Sequence, residues 1–289
     1  MKNKIIICVL ILICTILSAN AHAKSPVWKV SKDGKHLFLG GTIHLLTTSD
    51  YPLPFAFNAA YHNSKILVLE TDLQKFSAPE FQQKIIQNTM YSSGKKITQF
   101  LEADTLKALG NHLGNRGIPM EPLLQFKPGM LSITLTMIEL QRLGLVGTGV
   151  DEFYSQKALD ERRELEYLET VEEQIAFLSN MGEGNENELI KHTLDELKDL
   201  PRLFDLMKKA WKNGDNAQLQ KIAIDPWIEN FPKLYKTLLV DRNNHWIPKI
   251  EQMLKTKKIE LVLFGALHFV GEDGILAQLE ALGYEIENQ

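Results

Sequence analysis

Three short apolar runs constrain the fold of this chain more than any other feature. They cover residues 36–39, 66–69 and 261–264, and each stops at a glycine or an acidic residue instead of alternating with polar residues. Strands of this composition are buried on both faces, as in parallel sheets that carry helices on either side. Residues 165–168 form a weaker fourth run. The pattern predicts an α/β (α+β) fold with a central, largely parallel sheet and flanking helices.

The rest of the chain has the features of helices. Two S/T-x-x-E sequences, one starting at Ser77 and one at Thr170, are capping boxes that predict helix starts. Residues 128–143 are almost wholly apolar, begin with a helix-permitted proline and end before Gly144, which predicts a buried central helix. Residues 182–258 carry no strand signal and are broken by glycines and prolines, which predicts a helical section before the last strand.

Two segments at opposite ends of the chain repeat one pattern: an apolar strand, a glycine, two residues and a histidine. The histidines are His44 and His268, and Glu70 directly follows the strand at 66–69. Ligands of parallel sheets collect at the carboxyl ends of strands, and each glycine is expected to let the chain turn sharply there. Two imidazoles and one carboxylate would form a facial set suited to a catalytic divalent cation. The alternative for each histidine is a hydrogen-bonded core residue.

Arg242 lies on one helix face with Leu238, Trp246 and Ile250, at steps of four residues. A guanidinium on an apolar face needs a carboxylate or an anionic ligand, because burying it unpaired would be prohibitively costly. An internal salt bridge and a substrate contact are both open at this point.

Two acidic residues occupy positions of a similar kind. Glu169 follows a candidate strand, so it either orients a ligand or interacts with the dipole of the next helix. Asp151 follows a glycine-containing loop and fits a helix cap better than a catalyst. The remaining histidines have no comparable setting and are expected at the surface or in the core: His36, His62, His112, His192 and His245.

Residues 1–23 have the organisation of a secretory signal peptide. Two lysines precede an apolar run over residues 5–17, and the segment ends in an A-x-A site of the kind that signal peptidase cuts. The run is shorter than the roughly 20 residues of a membrane span. We therefore expect a periplasmic or secreted protein that begins at Lys24, forms one domain over 24–289 and keeps no stable membrane span.

Composition excludes several classes of function. The only cysteines, Cys8 and Cys14, lie in the expected signal peptide, so the mature chain has no disulfide, no cysteine nucleophile and no zinc–thiolate site. The formal net charge is −4 and becomes more negative when the two lysines of the signal peptide are removed. This charge favours neither nucleic acid nor an anionic membrane as a partner.

Six short motifs, in order along the chain, resemble those of the TraB/GumN family. They are Gly41-Thr42-Ile43-His44, Val68-Leu69-Glu70-Thr71-Asp72, Gly149-Val150-Asp151, the segment 168–174 that contains Glu169, Asp241-Arg242-Asn243 and Gly265-Ala266-Leu267-His268. The resemblance covers nearly the whole mature chain. The family is related to the Tiki proteins, regarded as metal-dependent proteases with paired GxxH motifs and a glutamate, and more distantly to erythromycin esterase and the haem-binding ChaN proteins. It implies a fold that brings the two GxxH histidines together across a pseudo-symmetric sheet.

The leading hypothesis is an exported metal-dependent hydrolase that acts on a peptide or protein substrate. His44, Glu70 and His268 would hold Mn²⁺ or Co²⁺, which would activate a water molecule and polarise the scissile carbonyl. Two alternatives come from other classes: a non-catalytic protein that binds or sequesters peptides, and a haem-binding or iron-binding protein of the ChaN type.

Within the leading hypothesis, each further polar residue has a role. Glu70 or Glu169 would act as the base, and Arg242 would stabilise oxyanion charge or bind a substrate carboxylate. Asn243 and Asp151 are candidate substrate-binding residues.

Overall fold

The computed structural model describes residues 24–92 and 94–289, and a six-stranded sheet forms its centre. The strands are β1 (Val27–Lys32), β2 (Lys35–Thr42), β3 (Ile66–Leu69), β4 (Glu164–Tyr167), β5 (Glu260–Gly265) and β6 (Glu285–Asn288). Their order is β4-β3-β5-β2-β1-β6, with parallel pairing from β4 to β2 and antiparallel pairing of β1 with β2 and β6. The predicted α/β class and largely parallel sheet are confirmed. The expected signal peptide lies outside the described residues.

All four predicted strands occur in the sheet. The run at 36–39 is the centre of the longer strand β2, and the run at 165–168 is shifted by one residue relative to β4. Strands β1 and β6 were not predicted. Both pair antiparallel at one side of the sheet, and β6 alternates exposed and partly buried residues, so neither has the continuous apolar run of a central strand.

Helices flank the sheet and form most of its connections. The α-helices are α1 (Phe55–Asn63), α2 (Leu73–Phe76), α3 (Pro79–Thr89), α4 (Ala103–Gly114), α5 (Pro128–Arg142), α6 (Val150–Asp160), α7 (Val171–Asn180), α8 (Glu186–Glu196), α9 (Leu200–Lys212), α10 (Asn216–Leu219), α11 (Asp225–Asn230), α12 (Pro232–Tyr235), α13 (Asp241–Met253) and α14 (Ile275–Ala281). Turns of π-helix at Gln220–Ile224 and Lys236–Val240 join α10 to α11 and α12 to α13. Short 3-10 turns occur at Thr48–Asp50, Ile97–Gln99, Glu121–Gln125 and Ala266–Phe269. Residues 182–258 form helices and no strand, as predicted.

One of the two predicted capping boxes is present. Thr170 caps α7: its hydroxyl accepts from the Glu173 N–H at 3.1 Å, and the Glu173 carboxylate accepts from the Thr170 N–H at 2.7 Å. The box at Ser77 was wrong. Helix α3 begins at Pro79 with Ala78 as its N-cap, because proline is favoured at the first helical position and fixes the start one residue later.

The apolar segment at 128–143 forms α5, which ends at Arg142. It was predicted as a buried central helix, and one face is buried, as at Leu131 and Leu135, whereas Ile133 is 36% exposed. Its buried face lies against α8, where the Ser132 and Thr193 hydroxyls are 2.5 Å apart. The helix therefore belongs to a separate apolar cluster of the helical part, formed by Ile97, Leu109, Leu113, Leu124, Leu131, Leu135, Ile190, Leu194 and Leu197.

The two faces of the sheet carry two different apolar cores. Alternate residues of β3 and β5, such as Leu67 and Leu263, contribute to one core, and their neighbours Val68 and Val262 contribute to the other. Burial on both faces is the reason why these strands read as continuous apolar runs. None of the helices in the described part of the chain is long and apolar enough to cross a membrane.

Candidate functional site

The carboxyl ends of β2, β3 and β5 meet at one edge of the sheet. Strand β5 lies between the other two and pairs with both in parallel. The two segments that repeat the GxxH pattern therefore leave neighbouring strands, and Glu70 leaves the third. A chain that places these strands side by side brings His44, Glu70 and His268 to one edge, as expected for a parallel sheet.

The three side chains converge on Gly265. A Cβ atom added to Gly265 would lie 3.4 Å from Glu70 Oε1, 3.6 Å from His268 Cδ2 and 4.0 Å from His44 Nε2. The missing side chain at this glycine leaves the space between them open. At Gly41, the corresponding glycine of the other copy, an added Cβ would lie 3.3 Å from the Ala266 Cα atom. Neither glycine has a positive φ: Gly41 serves close approach, and the 3-10 turn Ala266–Phe269 begins directly after Gly265.

Glu70 is held at this point by two hydrogen bonds. Its Oε1 accepts from the Gly265 N–H at 2.7 Å, and its Oε2 accepts from Arg242 Nη2 at 2.6 Å. Burial of the side chain favours the protonated carboxyl, but the nearby charges of Arg242, His268 and His44 and the Gly265 hydrogen bond outweigh it. The pKa of Glu70 is therefore lowered to about 2. Glu70 is an anion over the whole physiological pH range.

Arg242 lies between two carboxylates. Besides its bond to Glu70, it donates from Nε to Glu169 Oε1 at 2.8 Å and from Nη2 to Glu169 Oε2 at 3.0 Å. Its Nη1 is 3.3 Å from His268 Nε2, and the guanidinium carbon is 4.6 Å from the centre of the Trp246 ring. The side chain is only 14% exposed. These contacts account for four of the five N–H groups of an arginine. One Nη1 hydrogen is left for another acceptor.

Glu169 is the second carboxylate of this network. In addition to Arg242, it accepts hydrogen bonds from Trp246 Nε1 at 2.9 Å and from Gln174 Nε2 at 2.6 Å. It precedes the N-cap Thr170, so it lies outside the first turn of α7. The arrangement fixes the direction of the Arg242 side chain. The sequence placed Trp246 on the helix face of Arg242 and Gln174 in the motif at 168–174, but it did not predict that both donate to Glu169.

His268 has one defined tautomer. The side-chain nitrogen of Asn243 donates to the backbone carbonyls of Asp273 at 2.8 Å and His268 at 3.3 Å, which leaves Asn243 Oδ1 as an acceptor. This oxygen is 2.6 Å from His268 Nδ1. We assign the proton of His268 to Nδ1 and the lone pair to Nε2 on this basis. Burial, opposed in part by Glu70, lowers the pKa of His268 to about 3, so the ring is neutral. Asn243 is itself only 2% exposed, and its hydrogen bond to Nδ1 fixes the orientation of the His268 ring.

His44 is supported by a carboxylate. Its Nδ1 is 2.9 Å from Asp151 Oδ2, while Asp151 Oδ1 accepts from the Thr42 hydroxyl at 2.8 Å. The attraction of Asp151 raises the pKa of His44 above its ordinary value. Because the imidazole is 67% exposed, water screens part of this attraction. Asp151 is the second residue of α6, whose N-cap is Gly149, so the interpretation of Asp151 as a helix cap was wrong.

The loop that carries His44 lies directly against the start of α6. The Val150 N–H donates to the Ile43 carbonyl at 3.1 Å, and a side chain at Gly149 would overlap the His44 carbonyl oxygen. Trp211 Nε1 donates to the Gly41 carbonyl at 2.6 Å. These contacts fix the backbone from which the imidazole projects. Two closely spaced glycines in a loop were the only signal in the sequence.

The donor atoms are chemically suited to a divalent cation. His44 and His268 each have Nδ1 engaged by an oxygen, which leaves Nε2 as the coordinating atom, and Glu70 adds a negative charge. In the described part of the chain, however, no three His, Cys, Asp or Glu side chains stand in an arrangement that could hold a metal ion. Arg242 Nη1 lies against His268 Nε2. A metal ion would therefore replace this contact.

The other histidines lie away from this network. His62 and His245 are exposed, and His36 and His112 are partly buried. His192 packs against the ring of Phe231, with 4.6 Å between ring centres.

Comparison with known proteins identifies the family. A family model described as "TraB/PrgY/gumN family" matches residues 26–288. Two similar proteins are both described as "Uncharacterized protein YbaP", one from Escherichia coli (strain K12) and one from Shigella flexneri. Each is 25% identical over 261 residues, which covers 88% of this chain and 92% of the relative. No solved structure matches the chain. The matched range includes every residue described above for the site, and the chain belongs to the TraB/PrgY/gumN family.

Proposed function

We propose that this protein is an exported, metal-dependent hydrolase that cleaves peptides. The observation that supports the proposal best is the pair of histidines after β2 and β5, each held at Nδ1 by an oxygen and both close to Gly265. Histidines oriented in this way are typical of metal ligands. His44 would bind the ion after losing the proton that Asp151 favours, and the ionised Glu70 supplies the negative charge that two imidazole ligands lack. Export to the periplasm or the medium is supported by the sequence of residues 1–23 alone.

Mn²⁺ or Co²⁺ bound by His44, Glu70 and His268 would polarise a carbonyl group and lower the pKa of a bound water molecule. The protein side chains carry the remaining tasks. Glu70 is the better candidate for the base, since it accepts two hydrogen bonds, whereas Glu169 accepts four, from Arg242, Trp246 and Gln174. A base needs a free lone pair directed at the reacting group.

Arg242 is placed to bind the substrate at the same point. Its remaining Nη1 hydrogen would donate to the carbonyl oxygen of the scissile bond, where negative charge develops. The guanidinium is held by Glu70 and Glu169 on one side and lies over Trp246 on the other. It therefore needs little reorganisation during the reaction.

The second candidate is a protein that binds peptides without cleaving them. The contact between Arg242 and His268 supports it, because in the metal-free site Arg242 already lies against His268 Nε2 and pairs with both carboxylates. Such a site is stable without a metal ion and still presents one arginine hydrogen to a peptide carboxylate or carbonyl.

Turnover separates the two candidates. The purified protein is freed of metal with a chelator, and its metal content and its cleavage of a quenched-fluorescence peptide library are measured with and without Mn²⁺ and Co²⁺. We expect cleavage that depends on metal and is lost in His44→Ala and His268→Ala. His245→Ala is the matched control, since His245 is exposed on α13. If the protein binds peptides but cleaves none of them with Mn²⁺, with Co²⁺ or without metal, the result supports the second candidate.

A further inference from the structure

A groove of about 880 Å³ opens beside His44. His44 and Asp151 lie at one end of it, and its walls include α2, with Leu73 and Gln74, and the exposed side of α6. The groove is therefore continuous with the proposed active site. A substrate chain that reaches the site from this side has to lie along α6.

Helix α6 presents a regular stripe of polar side chains to this groove. Glu152, Gln156 and Asp160 recur at intervals of four residues, which places them on one face of the helix. At a rise of 1.5 Å per residue, the two carboxylates at the ends of the stripe are separated by about 12 Å along the helix axis. An extended peptide covers this distance in about four residues.

Most other charged groups of the groove are engaged. Glu161 accepts from the Tyr61 hydroxyl at 2.9 Å and lies 3.9 Å from Arg163 Nη2. The Lys157 ammonium donates to Asn58 Oδ1 at 3.2 Å and lies 4.7 Å from the centre of the Tyr61 ring. Glu161 is thus partly compensated by Arg163, whereas the Lys157 ammonium has no anionic partner among the residues that the structure describes and contacts two residues of α1 that do not line the groove.

Glu152 and Asp160 differ from these residues because they have no cation as a partner. Asp160 accepts only from Gln156 Nε2, at 2.9 Å, and Glu152 has no hydrogen bond or ion pair within the described residues. Both side chains are exposed. The groove therefore presents uncompensated negative charge at two points.

An apolar surface adjoins the first of these carboxylates. Phe153 is 37% exposed, and its ring centre is 5.6 Å from that of Tyr51. The Tyr51 hydroxyl donates to the Thr148 carbonyl at 2.9 Å, which fixes the aromatic pair beside the loop that precedes α6. Exposed aromatic surface beside a polar groove is a common feature of peptide-binding sites.

We propose that the groove between α2 and α6 binds the substrate chain and selects peptides that carry two basic residues about four positions apart. Glu152 and Asp160 pair with the two basic side chains, and Phe153 contacts an apolar residue between the first of them and the scissile bond. The charge complementarity of the groove identifies a cationic peptide as its occupant. The identity of the groove as a substrate site rests on the hydrolase function proposed above.

The test compares matched peptides and matched variants of the full protein. Two peptides differ only in having lysine or glutamine at the two positions, and a third has glutamate there. The variants are Glu152→Gln, Asp160→Asn, the double variant, and a charge reversal with lysine at both positions. Glu188→Gln is the control, because Glu188 is exposed on α8 and does not line the groove. Cleavage is followed with Mn²⁺, and binding of an N-methylated, uncleavable lysine peptide is followed by fluorescence anisotropy with chelator.

We expect the double variant to raise the KM for the lysine peptide by about threefold to tenfold, the range that two exposed ion pairs supply. The kcat, and the KM for the glutamine peptide, stay unchanged. The reversed variant prefers the glutamate peptide, and the preference of the native protein weakens at high salt. An unchanged KM and an unchanged anisotropy in the double variant would overturn the proposal.

Different results would overturn the groove proposal and the hydrolase proposal. If no peptide is cleaved but the lysine peptide binds and the double variant loses that binding, the groove stands and the hydrolase function fails. If cleavage depends on metal but shows no preference among the three peptides, the hydrolase function stands and the groove proposal is overturned. Absence of both cleavage and binding overturns both.

Discussion

Arg242 donates a 2.6 Å hydrogen bond to Glu70, a residue 172 positions earlier in the chain, and so connects α13 to the end of β3. Their side chains are 14% and 13% exposed. Removing one partner of such a pair is more harmful than the pair is stabilising, because the other partner is left as a buried, uncompensated charge. The pair makes Glu70 a structural residue as well as a candidate ligand. The first two predictions separate these roles.

Glu70→Gln keeps the shape of the side chain and removes its charge. Arg242 retains Glu169 as a partner, so we expect a loss of about 1–3 kcal/mol in the free energy of unfolding with chelator present. If Glu70 is also a ligand, the metal affinity falls and the additional stabilisation by excess Mn²⁺ disappears. Thermal melts of both proteins in both conditions measure the two effects. Equal destabilisation with and without Mn²⁺, at native metal affinity, would remove Glu70 from the metal site.

Arg242→Met removes the cation and leaves two buried carboxylates. We expect a loss of about 3–5 kcal/mol at pH 7. The pKa of Glu70 is lowered to about 2 in the native protein, so its contribution is complete above its ordinary pKa and is lost as pH falls through about 2. The difference between the two proteins should therefore shrink between pH 5 and pH 2. Urea denaturation across this range measures it, and a pH-independent difference would contradict the assignment.

Arg202→Met is the control for this experiment. Arg202 also pairs with a carboxylate, that of Asp199, but its side chain is 63% exposed. Its loss should leave the free energy of unfolding nearly unchanged, because water screens an exposed ion pair.

Asp151→Asn should lower the pKa of His44. The Asp151 carboxylate favours the charged imidazole, and an amide at this position removes that attraction. In the native protein, the stabilisation by this pair is complete below the ordinary histidine pKa and is lost as pH rises through the raised value. NMR titration of the histidine ring signals measures the change, with exposed His245 as an internal reference that should not move. A His44 pKa that is the same in both proteins would show that Asp151 does not act on the imidazole.

Gly265→Ala should impair the site and leave the fold intact. The new methyl group would lie in ordinary contact, 3.4 Å from Glu70 Oε1 and 4.0 Å from His44 Nε2, but it fills the space on which the three side chains converge. Gly40→Ala is the opposite case, because its methyl group would lie 2.6 Å from Leu263 in the core. We expect a native melting temperature and weakened Mn²⁺ binding for the first variant, and a lowered melting temperature for the second. Calorimetric titration with Mn²⁺ measures the affinity. A Gly265→Ala variant that binds Mn²⁺ as tightly as the native protein would contradict the location of the site.

The sequence predicted those features that depend on local pattern. Continuous apolar runs reveal strands buried on both faces, and β2, β3 and β5 were found in this way. The shared edge of His44, Glu70 and His268 followed from the rule that ligands collect at the carboxyl ends of parallel strands. Strands β1 and β6 were missed because they pair antiparallel and mix charged with apolar residues.

The roles of the supporting residues were not predictable in the same way. Asp151 is at the start of a helix, where an acidic residue is commonly a cap, and only the fold shows that its carboxylate reaches His44. Asn243 is next to Arg242 in sequence, yet the helix turns it under His268 while Arg242 faces the carboxylates. Such contacts join residues far apart in the chain. Their partners depend on how the elements pack, which residue spacing does not report.

The position of β5 between β2 and β3 also governs when the site can form. The two outer strands come from the first 70 residues, whereas β5 begins at Glu260 and has to insert between them. Pairings between distant parts of a chain form late, because the entropy of closing long loops opposes them. Before β5 is incorporated, His268 is not yet at the edge of the sheet, and Gly265 cannot yet donate its hydrogen bond to Glu70. The candidate site is therefore complete only after the last steps in the folding of this chain.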